Sequence, residues 1–281
     1  MKKRVKHTLS ALLLVRDGQV FHHLVRLCSS ICRVVHLLRT IPPLFCTDAL
    51  VSFDCSILNA LSRGLGVLFP EAAVRQVNLP LRFGGLGLRR ALDHASGAYL
   101  ASVSGAAAAD GWNRAKSVGW FPALEDFCFR AHVLPDTVTG AQAPLKQRQL
   151  SFAVDNHIFA SLLSSSPLLH KARLLSVKAP GASAWLGVIP SPSLNQVFDS
   201  RQFTALVRWW LGLPVYARVS ACPTCGVAMD LFGYHALTCR TGGSLGVRHN
   251  ALREVFLHFC NTSGIRAERE SPGLLLSRPS S

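Results

Sequence analysis

Three cysteines and one histidine lie close together in the chain: Cys222, Cys225, His235 and Cys239. Thiolate and imidazole groups are the ligands that zinc prefers in tetrahedral sites. The Cys-x2-Cys spacing lets one tight turn present two thiolates, with Gly226 able to relax the backbone around them. The other two residues are four positions apart, so one helical turn places them on the same face. The pattern predicts one structural zinc ion, because four protein ligands leave no open position for catalysis.

Two alternatives to this set of four ligands stay open. His249 or Cys260 can replace one of the four ligands, since both follow the pattern closely in the chain. The four residues can also be a chance cluster in a core that contains cysteine, because a free cysteine often behaves as a small buried apolar residue.

The charge balance of the chain indicates a polyanionic partner. The 281 residues include 30 Lys and Arg against 15 Asp and Glu, which gives a net charge of +15. Asp17 is the only acid that precedes Asp48. The predicted nucleic-acid contacts are Lys2, Lys3, Arg4, Lys6, Arg26, Arg33 and Arg39 near the start of the chain, and Arg248, His249 and Arg253 after the zinc pattern. The second group suits phosphate at the start of a helix, although a solvated helix start is an equal alternative.

Composition also predicts the compartment. The longest apolar stretches are far shorter than the roughly 20 residues that a bilayer span requires, so no membrane partner is expected. The N-terminus imitates a signal peptide, but Arg16 and Asp17 follow without a cleavage site. Nine scattered cysteines form no disulfide framework, which predicts a reducing, intracellular location. The basic run at 2–6 is a nuclear address, a solvated terminus or a phosphate-binding arm.

The pattern of apolar residues predicts a mainly α-helical chain. Helices are expected over 19–39, 47–63, 91–109, 145–163 and 168–177, over a segment capped by Asp199 or Ser200 that ends at Gly212, and over a final segment that turns Leu252, Val255, Phe256 and Phe259 inward. A short strand or an extended piece is expected at 185–189, and a strand at 265–270. Three glycines at Gly84, Gly85 and Gly87 require a tight turn or a close approach of two backbones.

We expect a helical domain followed by a small zinc-stabilised α/β segment, an incomplete nuclease-like fold. The predicted order is a basic helical domain at 1–134, a linker at 135–144, a helical connector at 145–220, the zinc motif at 221–241 and a truncated α/β segment at 242–281. The linker is assigned because Pro, Asp, Thr, Gly and Gln cluster there without periodicity.

Several short motifs occur in an order that resembles the region after the polymerase core of non-LTR retrotransposon reverse transcriptases. They are Leu37-Leu38-Arg39 with Pro42-Pro43, Leu79-Pro80 with Gly84-Gly85-Leu86-Gly87-Leu88-Arg89, Ala98-Tyr99-Leu100-Ala101-Ser102, Trp185-Leu186 with Ile189-Pro190, the zinc pattern with Ala236-Leu237, and Arg248-His249-Asn250 with Leu252-Arg253. The resemblance extends, with gaps, from about residue 20 to 279. It implies a helical segment that contacts nucleic acid, a zinc motif and the start of a restriction-like endonuclease.

The departures from this family predict a fragment without catalysis. The chain has no Tyr-x-Asp-Asp sequence, so the carboxylates that bind metal in a polymerase are missing. Similar sequences continue past the equivalent of Arg278-Pro279 to the nuclease carboxylates, whereas this chain has Ser280-Ser281 there. The remaining acids of the segment are Glu254, Glu268 and Glu270, too few to assemble a nuclease metal site.

The sequence therefore predicts a retroelement-derived, zinc-containing protein that binds DNA or RNA through phosphate contacts. One alternative is a zinc-stabilised module for structure or protein interaction, whose partners the sequence does not identify. The other is an active endonuclease, which requires carboxylates that the chain does not place.

Overall fold

A computed structural model describes residues 2–110, 113, 117–140, 144–241 and 244–269. The chain divides into an N-terminal unit, Met1–Leu213, and a C-terminal unit, Pro214–Ser281. Within the described residues the chain is mainly helical and its β-structure is a two-stranded sheet. The predicted mainly α class is confirmed.

The N-terminal unit contains twelve α-helices within its described residues. They are α1 Lys2–Leu12, α2 Gly18–Leu24, α3 Val35–Thr40, α4 Thr47–Leu65, α5 Glu71–Val77, α6 Ala91–Asp110, α7 Trp120–Ala131, α8 Pro135–Thr139, α9 Gln147–Ser165, α10 Leu168–Lys178, α11 Ala184–Gly187 and α12 Ser200–Leu211. A π-helical turn, Val25–Ser29, and short 3₁₀ helices connect some of them. None of the described helices is both long and apolar enough to cross a membrane.

Helix α4 shows how local sequence determines an element. Its residues Leu50, Phe53, Ile57 and Leu61 recur at the spacing of a helix and are all buried. The helix ends at Leu65, two residues beyond the predicted end at 63, and is capped by Gly66, whose φ of 61° is left-handed. Gly64 lies inside the helix. A glycine fits there because a Cβ at this position would overlap the ring of Phe21.

Helix α12 follows the predicted caps. The Asp199 carboxylate accepts hydrogen bonds from the backbone amides of Arg201 and Gln202, each at 2.8 Å. The side-chain oxygen of Gln202 in turn accepts the Asp199 amide at 3.1 Å, which completes a capping box. The helix ends at Gly212, which has a φ of 69°.

The predicted helix over 19–39 is wrong as one continuous element. The chain passes from α2 through the π-helical turn Val25–Ser29 and the 3₁₀ helix Ile31–Arg33 to α3. Ser30 adopts an extended conformation between them, with φ −85° and ψ −152°. Its hydroxyl donates to the carbonyl oxygen of Arg26 at 2.7 Å, so a side-chain hydrogen bond competes with helical continuation.

The predicted linker at 135–144 is also wrong in its described residues. Pro135 begins α8, where its fixed φ suits the first helical position. Val138 of this helix is buried in the same apolar cluster as Phe127 and Leu150 from the segments on either side. Residues on both sides belong to the N-terminal unit, so no domain boundary lies here; residues 141–143 lie outside the described part.

Neither predicted strand forms in the described residues. Ala184–Gly187 is the short helix α11, whose Leu186 is buried against the core. Residues 265–269 have no strand partner in the described chain, and Glu270 lies outside it. A single alternating stretch therefore does not form a strand without a neighbour to pair with.

The glycine-rich segment does make the predicted close approach. A Cβ at Gly85 would collide with the carbonyl oxygen of Leu79, and one at Gly84 would collide with Val177. Gly84 and Gly87 also have left-handed φ values of 75° and 77°. The backbone turn brings the Leu86 carbonyl to the Nε2 of His22 at 2.9 Å, where the imidazole N–H donates to it.

We predict that His22 makes folding sensitive to mild acid. Burial lowers the pKa of His22 from 6.5 to about 4, although its hydrogen bond to Leu86 opposes this shift. The unfolded chain therefore binds a proton first, and stability falls by about 3 kcal/mol as the pH drops from about 7 to about 4. Urea unfolding across this range, compared with His22→Gln, measures the effect. Parallel pH profiles of the two proteins would contradict it.

Candidate metal centre

Two elements of the C-terminal unit present the first pair of cysteines. Strands β1, Ser220–Ala221, and β2, Ala228–Met229, form an antiparallel hairpin in which Ser220 pairs with Met229. The Cys222 amide donates to the Val227 carbonyl at 2.8 Å, and the Gly226 amide donates to the Cys222 carbonyl at 2.9 Å. Gly226 has a φ of 73°, so it takes the left-handed position of the turn. The turn therefore places both thiols on one side of the hairpin end.

Helix α13, Tyr234–Thr238, presents the histidine and the third cysteine. Asp230 organises its start: its carboxylate accepts the amides of Phe232 at 2.9 Å, Tyr234 at 3.1 Å and His235 at 2.7 Å. The Cys239 amide donates to the His235 carbonyl at 2.8 Å, which completes the turn that aligns these two ligands. The sequence interpretation missed Asp230, although an aspartate shortly before a helical turn is a capping signal.

The four predicted ligand atoms come together. The three Sγ atoms and a ring nitrogen of His235 lie within 4.8 Å of one another. Cys222 Sγ and Cys239 Sγ are 3.9 Å apart, and Cys225 Sγ is 3.1 Å from His235 Nε2. Tetrahedral ligands at zinc bond lengths are separated by roughly 3.5–3.8 Å. The two observed distances lie on either side of this range, so small side-chain shifts would place all four atoms around one ion. The cluster can hold a metal ion.

Thr224 favours the thiolate form of two cysteines in the cluster. Its hydroxyl oxygen is 3.1 Å from Cys222 Sγ and 3.4 Å from Cys239 Sγ. Hydrogen bonds, chiefly from the Thr224 hydroxyl and from the backbone amides of Thr224 and Cys225, lower the pKa of Cys222 to about 5, and the Thr224 hydroxyl also lowers the pKa of Cys239. The nearby Cys222 sulfur raises the pKa of His235. Thiolate is the form that binds metal, so the threonine between the first two cysteines favours ligation.

Within the described residues this is the one group of three or more His, Cys, Asp or Glu side chains that can hold a metal ion. His249 and Cys260, the alternative ligands, are not members of it. All nine cysteines of the chain are free of disulfides in the structure. The set of four ligands favoured by the sequence is therefore the set that the fold assembles.

Three exposed arginines lie close to the cluster in the sequence. Arg218 precedes β1 and Arg240 directly follows the ligand Cys239, and both side chains are exposed. Arg248, at the start of helix α14, Ser244–Thr262, is exposed as well and donates to the carbonyl oxygen of Leu237 in α13. The sequence interpretation missed Arg218 and Arg240, whose adjacency to the hairpin and to Cys239 was the available signal.

The other two predicted phosphate contacts after the cluster differ from each other. His249 is exposed on α14. Arg253 is half-buried and its guanidinium lies 3.2 Å from the Glu254 carboxylate, which also pairs with Arg269 at 2.9 Å.

Glu268 pairs with Arg266 at 3.1 Å. The two glutamates are therefore engaged by arginines.

The predicted contacts near the start of the chain do not share one helix face. The exposed ones are Lys6 on α1, Arg33 before α3 and Arg39 on α3, and Arg39 Nε donates to the Gln147 side chain at 2.8 Å. Arg26 is half-buried, and burial lowers the pKa of its guanidinium. A Cβ at Gly87 would meet the Arg26 side chain, so Arg26 is a packing residue. The side chains of Lys2, Lys3 and Arg4 lie outside the described part.

The predicted inward face of α14 is wrong. Leu252, Val255, Phe256 and Phe259 are between 49% and 62% exposed. Their spacing marks one side of a helix, but the described residues of the C-terminal unit provide no apolar element that covers it. The spacing of apolar residues predicts which face of a helix is apolar, but it does not show which element packs against that face.

The structure brings the four candidate metal ligands together by local folding. The ligands come from a hairpin and a short helix that follow each other directly between Cys222 and Cys239, with Asp230 and Thr224 in support. Comparison of the chain with protein-family models, curated proteins and solved structures finds no match.

Proposed function

We propose that the chain is a zinc-containing protein of retroelement origin that binds nucleic acid through phosphate contacts and has no catalysis of its own. The observation that carries the proposal is the convergence of three sulfurs and one imidazole nitrogen within 4.8 Å. This donor set favours zinc, and four protein ligands make the ion structural. The ion would be held by Cys222, Cys225, His235 and Cys239.

Local charge supports nucleic acid as the partner. The exposed side chains of Arg218, Arg240 and Arg248 lie on or beside the elements that hold the metal ligands. The nearest acid in sequence, Asp230, directs its carboxylate to three backbone amides. The whole chain carries a net charge of +15, which attracts a polyanion over distances of about a Debye length.

The proposed retroelement origin rests on the sequence, and the proposed absence of catalysis rests on the sequence together with two ion pairs. The ordered motifs between about residues 20 and 279 are the support for the origin. For the lack of catalysis, the support is the missing Tyr-x-Asp-Asp sequence and the engagement of Glu254 and Glu268 by arginines. A nuclease would require carboxylates free to bind magnesium or manganese.

A salt titration tests the proposed binding. A labelled duplex should bind the zinc-loaded protein at low salt, and the logarithm of the affinity should fall linearly with the logarithm of salt concentration. The double change Arg218→Gln with Arg240→Gln removes two exposed cations, so the slope should become shallower by about 2.

The control for this titration is Arg266→Gln. Arg266 is also exposed in the C-terminal unit, but Glu268 already neutralises it at 3.1 Å, so the slope should stay unchanged. Absence of binding at low salt in the folded, zinc-loaded protein would reject the proposal.

The exposed face of α14 favours a second candidate, a zinc-stabilised protein-interaction module. Val255, Phe256 and Phe259 form an exposed apolar surface, which is typical of a protein-interaction site. This candidate replaces the first if the intact zinc protein fails to bind either DNA or RNA at low salt.

A further inference from the structure

The N-terminal unit contains a cavity that neither the metal cluster nor the predicted basic residues explain. It has a volume of about 500 Å³ and lies among α5, α6, α7 and α9. Small-ligand sites in proteins have volumes of roughly 300–1,000 Å³. Val154 and Ile158 of α9 provide its apolar surface. The size and the apolar surface suit a small planar ligand.

Aromatic rings line one side of the cavity. Phe129, near the end of α7, is 82% exposed, and its ring is available to a ligand. His132 and His157 also line the cavity, with their rings stacked at a centroid distance of 5.1 Å and an interplanar angle of 17°. His132 ends α7 in the left-handed conformation with a φ of 53°, which is uncommon outside glycine. These rings offer flat faces on which an aromatic ligand can stack.

Guanidinium groups line another side. Arg75 of α5 faces Glu71 at 3.8 Å, with both side chains half or more exposed. Arg90, before α6, is 3.4 Å from Asp93 and 3.9 Å from Asp54, both longer than a close ion pair. Asp93 is already bound more closely by Arg130, at 2.8 Å. Three guanidinium groups thus share the cavity lining with two carboxylates, and Arg75 and Arg90 are held loosely enough to accept an anion.

We propose that this cavity binds one unpaired nucleotide of a single-stranded nucleic acid. The base stacks on Phe129 and the His132–His157 pair, and the phosphate lies against Arg75 and Arg90. A paired base is held within the duplex stack, so the cavity distinguishes single strands from duplexes. This inference rests on the proposed nucleic-acid binding and names the strand form that the N-terminal unit takes.

The test compares a short labelled single-stranded oligonucleotide with the blunt duplex of the same sequence, by fluorescence anisotropy on the full chain. Phe129→Ala should weaken single-strand binding about tenfold and leave duplex binding unchanged, because one stacked base is lost. Arg75→Gln should weaken single-strand binding as well. The matched controls are Phe121→Ala, an exposed aromatic on the same helix, and Arg63→Gln, an exposed arginine of α4; neither side chain lines the cavity.

The outcomes separate this inference from the proposed function. If Phe129→Ala and Phe121→Ala have equal effects on single-strand binding, the cavity proposal is overturned while nucleic-acid binding stands. If neither strand form binds the wild type, adenosine monophosphate is titrated and followed by saturation-transfer NMR. A signal that Phe129→Ala removes and Phe121→Ala keeps supports the cavity site alone, and no signal overturns it.

Discussion

Replacement of Cys239 by serine is expected to remove the metal from the protein and unfold the segment around it. The wild type should contain one zinc ion per chain, and Cys239→Ser should contain none, because a three-ligand remainder binds zinc far more weakly. Structural zinc in small domains contributes apparent binding free energies of about 10 kcal/mol or more. The hairpin and α13 have little other support, since Cys222 and Cys239 are the buried apolar side chains among this unit's described residues.

Two measurements on the full chain check this result. Metal content is measured by mass spectrometry, and hydrogen exchange shows whether amide protection is lost in residues 220–241. A strong chelator should reproduce the loss of protection in the wild type, and added zinc should restore it.

Cys260→Ser provides the matched control for this experiment. Cys260 is a half-buried cysteine of α14 in the same unit, and it is outside the cluster, so its replacement should leave the zinc content unchanged. Loss of zinc in Cys260→Ser together with retention in Cys239→Ser would assign the fourth ligand to Cys260. A folded wild type without zinc would show that the cluster is not a zinc site and that its cysteines are ordinary buried thiols.

Elements with local signals were predictable from the sequence. The four candidate metal ligands all lie between Cys222 and Cys239, so spacing alone indicated which four side chains can meet. Helix α12 carries its own start and stop signals in Asp199 and Gly212. In both cases the residues that determine the structure are neighbours in the chain, which is the range in which sequence patterns act.

Features that depend on distant residues were not predictable in this way. The linker was assigned from its local composition. Val138 is buried there because it packs in one cluster with Phe127 and Leu150, and local composition does not show such contacts. The face of α14 was expected to be covered, although the described residues of the C-terminal unit provide no apolar element that covers it.

The clearest long-range feature is the buried carboxylate of Asp155 on α9. Its side chain is 1% exposed and lies 2.5 Å from Arg89 and 3.4 Å from Arg82, both in the glycine-rich segment before α6. His94 Nε2 of α6 is 3.4 Å from the other carboxylate oxygen. One carboxylate thus connects α9 with α6 and with the glycine-rich segment, both of which lie far from it in the sequence.

Asp155→Asn is expected to destabilise the N-terminal unit by about 3 kcal/mol, because the change leaves partly buried arginines without their counter-charge. Glu71→Gln is the matched control, since its ion pair with Arg75 is exposed and worth at most about 0.5 kcal/mol. Urea unfolding of both variants at neutral pH measures the difference. Equal small losses in the two variants would show that the buried cluster contributes no more than a surface pair.

The same carboxylate predicts how this stability depends on acid. Burial acts to raise the pKa of Asp155, but His94 and Arg89 outweigh burial and hold that pKa below its usual value of 3.8. The unfolded chain therefore takes up the proton first, so the contribution of Asp155 is present above about pH 4 and is lost as the pH falls through the folded pKa. Subtracting the unfolding profile of Asp155→Asn from that of the wild type should show a difference that is constant near neutral pH and shrinks below about pH 4. A difference that grows on acidification would mean that burial, and not the arginines, controls the ionisation of Asp155.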